Sequence, residues 1–405
     1  MLTESQREII RATVPALRQH GEAITERFYA DLFEAHPELL NIFNPVNQRP
    51  GGQARNLAAS ILAYAANIDQ LDKLGGMVER IANKHCSMEV RPEHYPIVGE
   101  FLLGAIAAVL GGAATPAVLD AWGAAYGLLA GIMTGREAQL YATETAEGWE
   151  GYKTCSVVKK EFETTSMVSL YFAPVDGTPL PAFHPGQYLG IKARVPGHTT
   201  DQVRQYSLSI APGGQFYRIS VRRERSASGT TPDGLISNYL HDGIREGDTL
   251  GVHAPLGDFT LDETSDRPVV LLSAGSGITP TISMLEYLTP GTRRVLFVHA
   301  TTDRAHHAFG DHVRRLAASR PGIEVAIFYD TVGPDDIAGI QYDEVGRLTE
   351  AALATRLPPG ECDIYLCGPA GFLTAADELL ERLGVPKERR HSEAFVPEAR
   401  LLGAA

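Results

Sequence analysis

The sequence predicts three domains in series: an all-α domain over residues 1–147, an antiparallel β-barrel over 148–264 and a doubly wound α/β domain over 265–405. Three observations carry this reading. From Thr3 to about Tyr141, apolar residues recur at helical spacing with no alternating run. After Gly148-Trp149-Glu150-Gly151 the texture changes to short β-branched and aromatic runs separated by Gly/Pro turns. From Arg267, apolar strands alternate with helical segments, the pattern of a parallel sheet covered on both faces.

Composition narrows the function classes. With 405 residues, 44% of them hydrophobic, the chain can bury several cores and is too apolar for a disordered or fibrous protein. The 49 acidic residues outnumber 36 basic ones, and a formal charge of −13 disfavours nucleic acid or an anionic membrane as the main partner. Four cysteines (Cys86, Cys155, Cys362, Cys367) are too scattered for a disulfide framework. No third or fourth cysteine stands beside Cys362 and Cys367 to hold zinc or an iron–sulfur cluster. The charged, helical start MLTESQREIIRATV lacks a secretion pattern, so a reducing, cytoplasmic setting is expected.

In the helical part, Thr3-x-x-Gln6 forms a capping box. Phe101 to Leu119 is uncharged and long enough to span a bilayer, but it is mostly Ala and Gly and lacks interfacial anchors. Gly111-Gly112 and Thr115-Pro116 break it, which favours two buried helices, the second capped by Thr115 with Pro116 in first position. Gln53, Leu57, Ser60 or Ile61, and Tyr64 share one helix face. Met77, Ile81 and His85 share another, on a helix ending before Arg91-Pro92. By itself, a histidine at a helix end caps or packs more often than it ligates.

The barrel strands are read in CSVVKKEF, SMVSLYF, QYLGIKARV, QYSLSI and FYRISVRRE. Within them stand Pro185-Gly186-Gln187-Tyr188 and Arg204-Gln205-Tyr206-Ser207, and Gly234-Leu235-Ile236-Ser237 follows. Alone, the second run is an ordinary alternating strand with Arg204 and Tyr206 on one face. A GxxS helix start, however, offers backbone N–H groups to a pyrophosphate. The α/β strands are PVVLLSA, RVLFVHA, VAIFYD and CDIYLC. The first runs into Gly275-Ser276-Gly277-Ile278-Thr279-Pro280, where glycines permit close approach and the helix dipole favours a phosphate, although the third glycine of the usual dinucleotide fingerprint is absent. Cys367-Gly368-Pro369 follows the fourth strand, and the His-rich stretch Arg304 to His312 reads as a solvated helix face.

These motifs resemble the flavohaemoglobin family along the whole chain. AHPELLNIFN places Phe43 against a haem, Tyr29 and Gln53 fall at the two distal positions with Leu57 on the same helix face as Gln53, and KHCSMEVRPEHYPIVGE places His85 as proximal iron ligand. Tyr95 and Glu137 match the family's proximal network, and Lys84 matches the lysine before the ligand. A carboxylate accepting from the far imidazole nitrogen makes the ring more electron-donating. Because Glu137 is read near a helix C-terminus, where the dipole disfavours it, a compensating partner is expected.

The resemblance further implies that PGQY and RQYS hold FAD: Arg204 at the phosphates, Tyr188 and Tyr206 near flavin or ribose, Ser207 at the N5 edge, with Gln205 between them and Gly234 and Ser237 at the pyrophosphate. Gly275, Ser276, Gly277, Ile278, Thr279 and Pro280, with Cys367, Gly368 and Pro369, match the family's nicotinamide loops; Cys367 lies near the nicotinamide or is a buried inert thiol. In the closing segment Glu393-Ala394-Phe395-Val396-Pro397, Phe395 matches the ring that covers the flavin and Glu393 the carboxylate between flavin and haem. Val396 replaces the family's usual glycine, and Pro45 stands where relatives carry a flexible apolar residue.

The implied protein is a globin domain (1–147) with b-type haem, an FAD barrel (148–264) and an NAD(P) domain (265–405). Its implied activity is nitric oxide dioxygenation to nitrate with electrons from NAD(P)H through FAD. A monomer is expected, with O2 and NO as small-molecule partners, no nucleic acid and no integral membrane span. Two rivals are an oxygen sensor or store that keeps its own iron reduced, and a diaphorase or lipid-hydroperoxide reductase. Arg304, His306 and His307 leave NADH and NADPH both open.

Overall fold

The computed structural model describes residues 2–42, 52–226 and 233–395. These form two compact units: a helical unit up to Gly151 that also takes in residues 197–203, and a second unit made of the remaining described chain.

The helical unit contains α1 (Glu4–Ala35), α2 (Gly52–Ala66), α3 (Gly75–Ser87), α4 (His94–Leu110) and α5 (Pro116–Ala146). The capping box is formed: Gln6 N donates to Thr3 Oγ1 at 3.2 Å and Thr3 N to Gln6 Oε1 at 3.0 Å. Helical spacing puts Ile10, Leu17, Ile24, Phe28 and Leu32 on one stripe of α1, and they are buried against Leu102, Ile106 and Trp122 of α4 and α5. Each such side chain contributes about 1.5–3 kcal/mol by leaving water. The uncharged segment divides as expected, at a 3-10 turn over Gly111–Ala113, and Thr115 caps α5 ahead of Pro116. One expectation is corrected: α5 continues to Ala146, so Glu137 lies well inside the helix and the dipole argument does not apply to it.

The second unit begins with β1 (Tyr152–Phe162), β2 (Met167–Pro174), β3 (Tyr188–Ala193), β4 (Gln202–Ser207), β5 (Tyr217–Arg222), α6 (Leu235–Asp242) and β6 (Thr249–His253). The sheet order is β4-β3-β6-β1-β2-β5. An antiparallel bridge between Leu208 and Ile219 joins the chain beyond β4 to β5 and closes the barrel. Sequence reading found the first five strands and missed β6.

The rest comprises β7 (Val269–Ala274), α7 (Ile278–Leu288), β8 (Val295–Thr301), α8 (Gly310–Ser319), β9 (Ile323–Tyr329), β10 (Glu344–Val345), α9 (Glu350–Ala354), β11 (Asp363–Gly368), α10 (Ala370–Arg382) and β12 (Arg390–Ala394). Its pairs are parallel and its order is β10-β9-β8-β7-β11-β12. Strands β7 and β11 are buried throughout, which explains why both read as continuous apolar runs. Strand order reverses between β7 and β11, so a crevice for ligand opens beyond their carboxyl ends.

The segment from Arg304 to His312 also departs from expectation. It is a 3-10 turn (Arg304–His306) followed by α8, not one solvated helix face. His307 is 8% exposed, bonded through Nδ1 to Tyr329 Oη at 2.9 Å and stacked on buried His299. His312 pairs with Glu286 at 2.8 Å, and Glu286 pairs with Arg218 of β5, linking barrel to α/β part. No group of three or more His, Cys, Asp or Glu among the described residues is arranged to hold a metal.

Candidate functional site

Helix α3 brings His85 to α5. The ring Nδ1 lies 2.8 Å from Glu137 Oε1 and 3.1 Å from the Tyr95 hydroxyl, and that hydroxyl donates to the same carboxylate oxygen at 2.5 Å. Tyr95 comes from the start of α4, so three helices converge on one imidazole. The arrangement is itself held. Tyr126 Oη donates to Tyr95 O at 2.6 Å, and Arg136 makes a two-pronged pair with Glu79 that clamps α5 to α3 beside the cluster. Glu137 is 1% exposed and its Oε2 has no hydrogen-bond partner among the described residues. Burial, reinforced by the bond to Glu137, holds the Tyr95 hydroxyl well above the usual tyrosine range, so it stays a donor. With Nδ1 committed, the ring's Nε2 is the nitrogen left to coordinate, and the donor set fits an iron held by a single imidazole.

Tyr126 escaped sequence reading, although it lies three helical turns before Glu137 on the same face of α5. Of the remaining expected haem-side residues, Tyr29 sits half-buried on α1, stacked on Phe33 at 5.6 Å. Leu57 is half-buried on α2 and packs against the helical core. Lys84 is exposed on α3. Gln53 is in the first turn of α2, and its side chain lies outside the described residues, as do Phe43, Pro45, Val396 and Pro397.

In the barrel, Tyr188 opens β3, while Arg204, Gln205, Tyr206 and Ser207 end β4. Arg204 and Tyr206 are half-buried, and their partial burial lowers the Arg204 pKa and raises that of Tyr206, leaving a cation beside a neutral phenol. Such a guanidinium gains most from an anionic partner. Gly234 caps α6, and Ser237 Oγ donates back to Gly234 O at 3.1 Å while accepting from Glu224 N at 3.2 Å. The set suits a flavin with a pyrophosphate, hence FAD.

At the switch point, Gly275–Gly277 form a 3-10 turn that leads into α7, which carries Ile278, Thr279 and Pro280. Thr279 Oγ1 donates to Ser276 O at 3.0 Å and closes the turn. Gly277 lies directly on the Cys367 carbonyl and the Gly368 amide, leaving no space for a Cβ. The loop after β7 and the loop after β11 therefore form one backbone-lined surface, and Pro369 starts α10 beside it. Cys367 is fully buried and burial keeps its thiol protonated, which fits the inert alternative for its side chain. On β12, Glu393 and Ala394 are half-buried and pair beside Cys367 and Gly368, whereas Phe395 is 44% exposed.

Comparisons with known proteins match each of the three parts of the chain that carry these residues. A globin family model matches residues 26–133, an oxidoreductase FAD-binding domain model residues 154–261, and an oxidoreductase NAD-binding domain model residues 271–378. The chain is 53% identical over 401 residues to a flavohemoprotein of Deinococcus radiodurans, covering 98% of each. It is 47% identical to one of Pseudomonas putida, covering 99% of this chain and 100% of the relative. Among solved structures it is similar to a flavohemoglobin of Malassezia yamatoensis with bound FAD and heme, with TM-score 0.82, 28% identity, and 97% and 99% of the two chains covered. It is also similar to the FAD/NAD-binding domain of a nitric oxide dioxygenase of Vibrio cholerae, with TM-score 0.54, 36% identity, and 60% and 98% covered.

Proposed function

This chain belongs to the flavohemoprotein family, with haem, FAD and NAD as its cofactors, and from that premise we propose that it is a nitric oxide dioxygenase driven by NAD(P)H. The observation that carries the reading is the His85–Glu137–Tyr95 cluster in a chain that also contains its own reductase. When bound, the nicotinamide would supply electron pairs, the flavin would pass them on singly, and the haem iron held by His85 would supply the centre for combining nitric oxide with oxygen. Each nitrate formed consumes one NO, one O2 and one electron, so one NAD(P)H serves two turnovers.

The protein's own groups have separable tasks. His85 offers Nε2, while Glu137 fixes the tautomer by accepting the Nδ1 proton and makes the ring a stronger donor. Tyr95 shares that carboxylate and keeps it aimed. Tyr29 and Gln53 serve as distal hydrogen-bond donors that favour oxygen over uncharged ligands. Arg204, Tyr206 and Ser207 hold FAD, and the surface at Gly277 and Gly368 receives the nicotinamide. Glu393 belongs to the electron path, Lys84 takes the position of the lysine before the iron ligand, and the protein acts as a cytoplasmic monomer.

Aerobic NO removal by the holoprotein, followed together with nitrate formation and NAD(P)H oxidation, tests the reading. The expected stoichiometry is two nitrates per NAD(P)H. Reversible oxygen binding without NO removal would support a store or sensor instead, and NADH oxidation that is insensitive to NO would support a diaphorase. His85→Ala should abolish nitrate formation while retaining FAD.

A further inference from the structure

The helix that carries His85 ends on an unexpected residue. Val90 N donates to His85 O at 3.0 Å and Glu89 N to Cys86 O at 2.9 Å, the two bonds of a Schellman motif. The residue between the helix and Val90 must then be left-handed, a position normally taken by glycine. Here it is Glu89, with φ 57, and only Phe309 shares a positive φ among the described non-glycine residues. A glycine would end α3 with the same bonds and without this strain, so the carboxylate at 89 points to a role beyond capping.

That carboxylate rests on Gly151. A Cβ at residue 151 would stand 2.7 Å from Glu89 Oε1 and would push the carboxylate end aside, and Gly151 itself has φ 62, the conformation that favours glycine there. Gly151 is the last residue before β1, where the second unit begins. The approach to it is also fixed: Trp149 is fully buried and its N–H donates to Glu144 O at 2.9 Å. On the other side of Glu89, Tyr141 Oη donates to Val90 O at 2.7 Å and the Arg91 guanidinium lies 4.3 Å above the Tyr141 ring, tying the turn to α5, the helix that carries Glu137. Glu89 thus stands four residues beyond His85, where the end of the ligand helix meets Gly151, the last residue of the helical unit before β1.

We propose that Glu89 is a positioning residue whose carboxylate tethers Gly151 to the end of the haem-ligand helix, so that electron delivery from flavin to haem depends on it. This rests on the electron-delivery reading above.

The test uses the full-length holoprotein with Glu89→Gly, Glu89→Gln and Gly151→Ala. Anaerobic stopped-flow with NADH under carbon monoxide follows FAD bleaching and haem reduction separately, and hydrogen exchange follows residues 148–152 and the Val90 amide in protein with and without haem. Glu89→Gly should leave FAD reduction and Val90 protection intact, accelerate exchange over 148–152 and slow haem reduction by at least about tenfold, as expected for a displaced reaction partner. Glu89→Gln should fall between this and wild type. Gly151→Ala should reproduce the slow phase by displacing the carboxylate. Wild-type haem reduction and wild-type exchange in Glu89→Gly would overturn the proposal, as would slow transfer accompanied by loss of Val90 protection or of haem, since the role would then be capping alone. Wild-type protein whose FAD is reduced by NADH without subsequent haem reduction would instead overturn the electron-delivery reading, while exchange over 148–152 in the haem-free protein still decides whether the tether exists.

Discussion

Replacing Glu137 by Gln removes one charge with little change in shape. The carboxylate oxygen Oε1 accepts two hydrogen bonds, from the His85 ring at 2.8 Å and the Tyr95 hydroxyl at 2.5 Å, and both are charge-assisted. Such bonds are worth about 1.5–3 kcal/mol against about 0.5–1.5 for neutral ones, so the variant loses roughly 1–1.5 kcal/mol in each. Opposing this, Glu137 is 1% exposed with no partner for Oε2 among the described residues, and a buried carboxylate carries a larger desolvation penalty than the amide does. Thermal stability should therefore change little, while the imidazole becomes a weaker donor. Loss of a ligand's supporting carboxylate lowers metal affinity about 10- to 100-fold. If that factor applies to the ferric state alone, the ferric/ferrous potential rises by about 60–120 mV, at 59 mV per tenfold for one electron. Three measurements decide the matter: haem transfer to an apomyoglobin scavenger, spectroelectrochemical titration, and resonance Raman of the iron–histidine stretch in the ferrous unliganded protein. An unshifted iron–histidine band together with an unchanged haem-transfer rate would refute the reasoning.

Other outcomes are equally concrete. Tyr29→Phe should speed oxygen dissociation roughly ten- to over a hundredfold, the value of one bond to a charged acceptor, with carbon monoxide affected less; an unchanged oxygen off-rate in flash photolysis would place the hydroxyl elsewhere. Gly277→Ala drives a methyl group into the backbone of Cys367 and Gly368, so stopped-flow FAD reduction by NAD(P)H should slow by about a hundredfold with haem and FAD contents preserved. Burial pushes the Glu144 carboxyl up to about 8. Its contribution to stability is complete below the unfolded value near 4.5 and is lost as pH rises through 8, because the unfolded chain releases that proton first. Glu144→Gln should accordingly gain about 2–8 °C in thermal midpoint over wild type on going from pH 5 to pH 8, and parallel pH curves for the two proteins would contradict this.

What the sequence disclosed depended on how local the cause was. The capping box at Thr3 and the Thr115-Pro116 restart are read within four residues and appear as expected. Strand β6 was missed because it is five residues long with Gly251 at its centre, and only pairing with residues far along the chain, in β1 and β3, makes it a strand. The end of α5 was set too early, since no glycine or proline marks it before Gly148. The buried His299 and His307 defeat composition rules altogether. They look like surface residues, yet β8 carries one inward and the turn before α8 places the other on it. At the site, His85 alone was ambiguous, and its meaning came from Tyr95 and Glu137, 42 residues apart, which only a family pattern connected before the geometry did.

The closing of the barrel also bears on how the protein is made. Strand β6 lies between β1 and β3, yet Thr249 comes 87 positions after Phe162 at the end of β1. At roughly 5–20 residues per second on the ribosome, the edge of β1 that will receive β6 waits about 4–17 s for its neighbour. An unpaired edge is an invitation to other nascent chains. Charged Lys153 lies in the very stretch of β1 that β6 will cover, and Lys159, Lys160 and Glu161 follow it along the same strand. A polysome carrying this message would thus owe its freedom from cross-pairing to side chains that take partners once the barrel is shut, Lys160 donating to the carbonyls of Leu240, His241 and Ile244 and Lys153 to Asp176 and Thr178. Neutralising Lys159, whose only partner on its own strand is exposed Glu161, should therefore reduce soluble yield before it alters the finished protein.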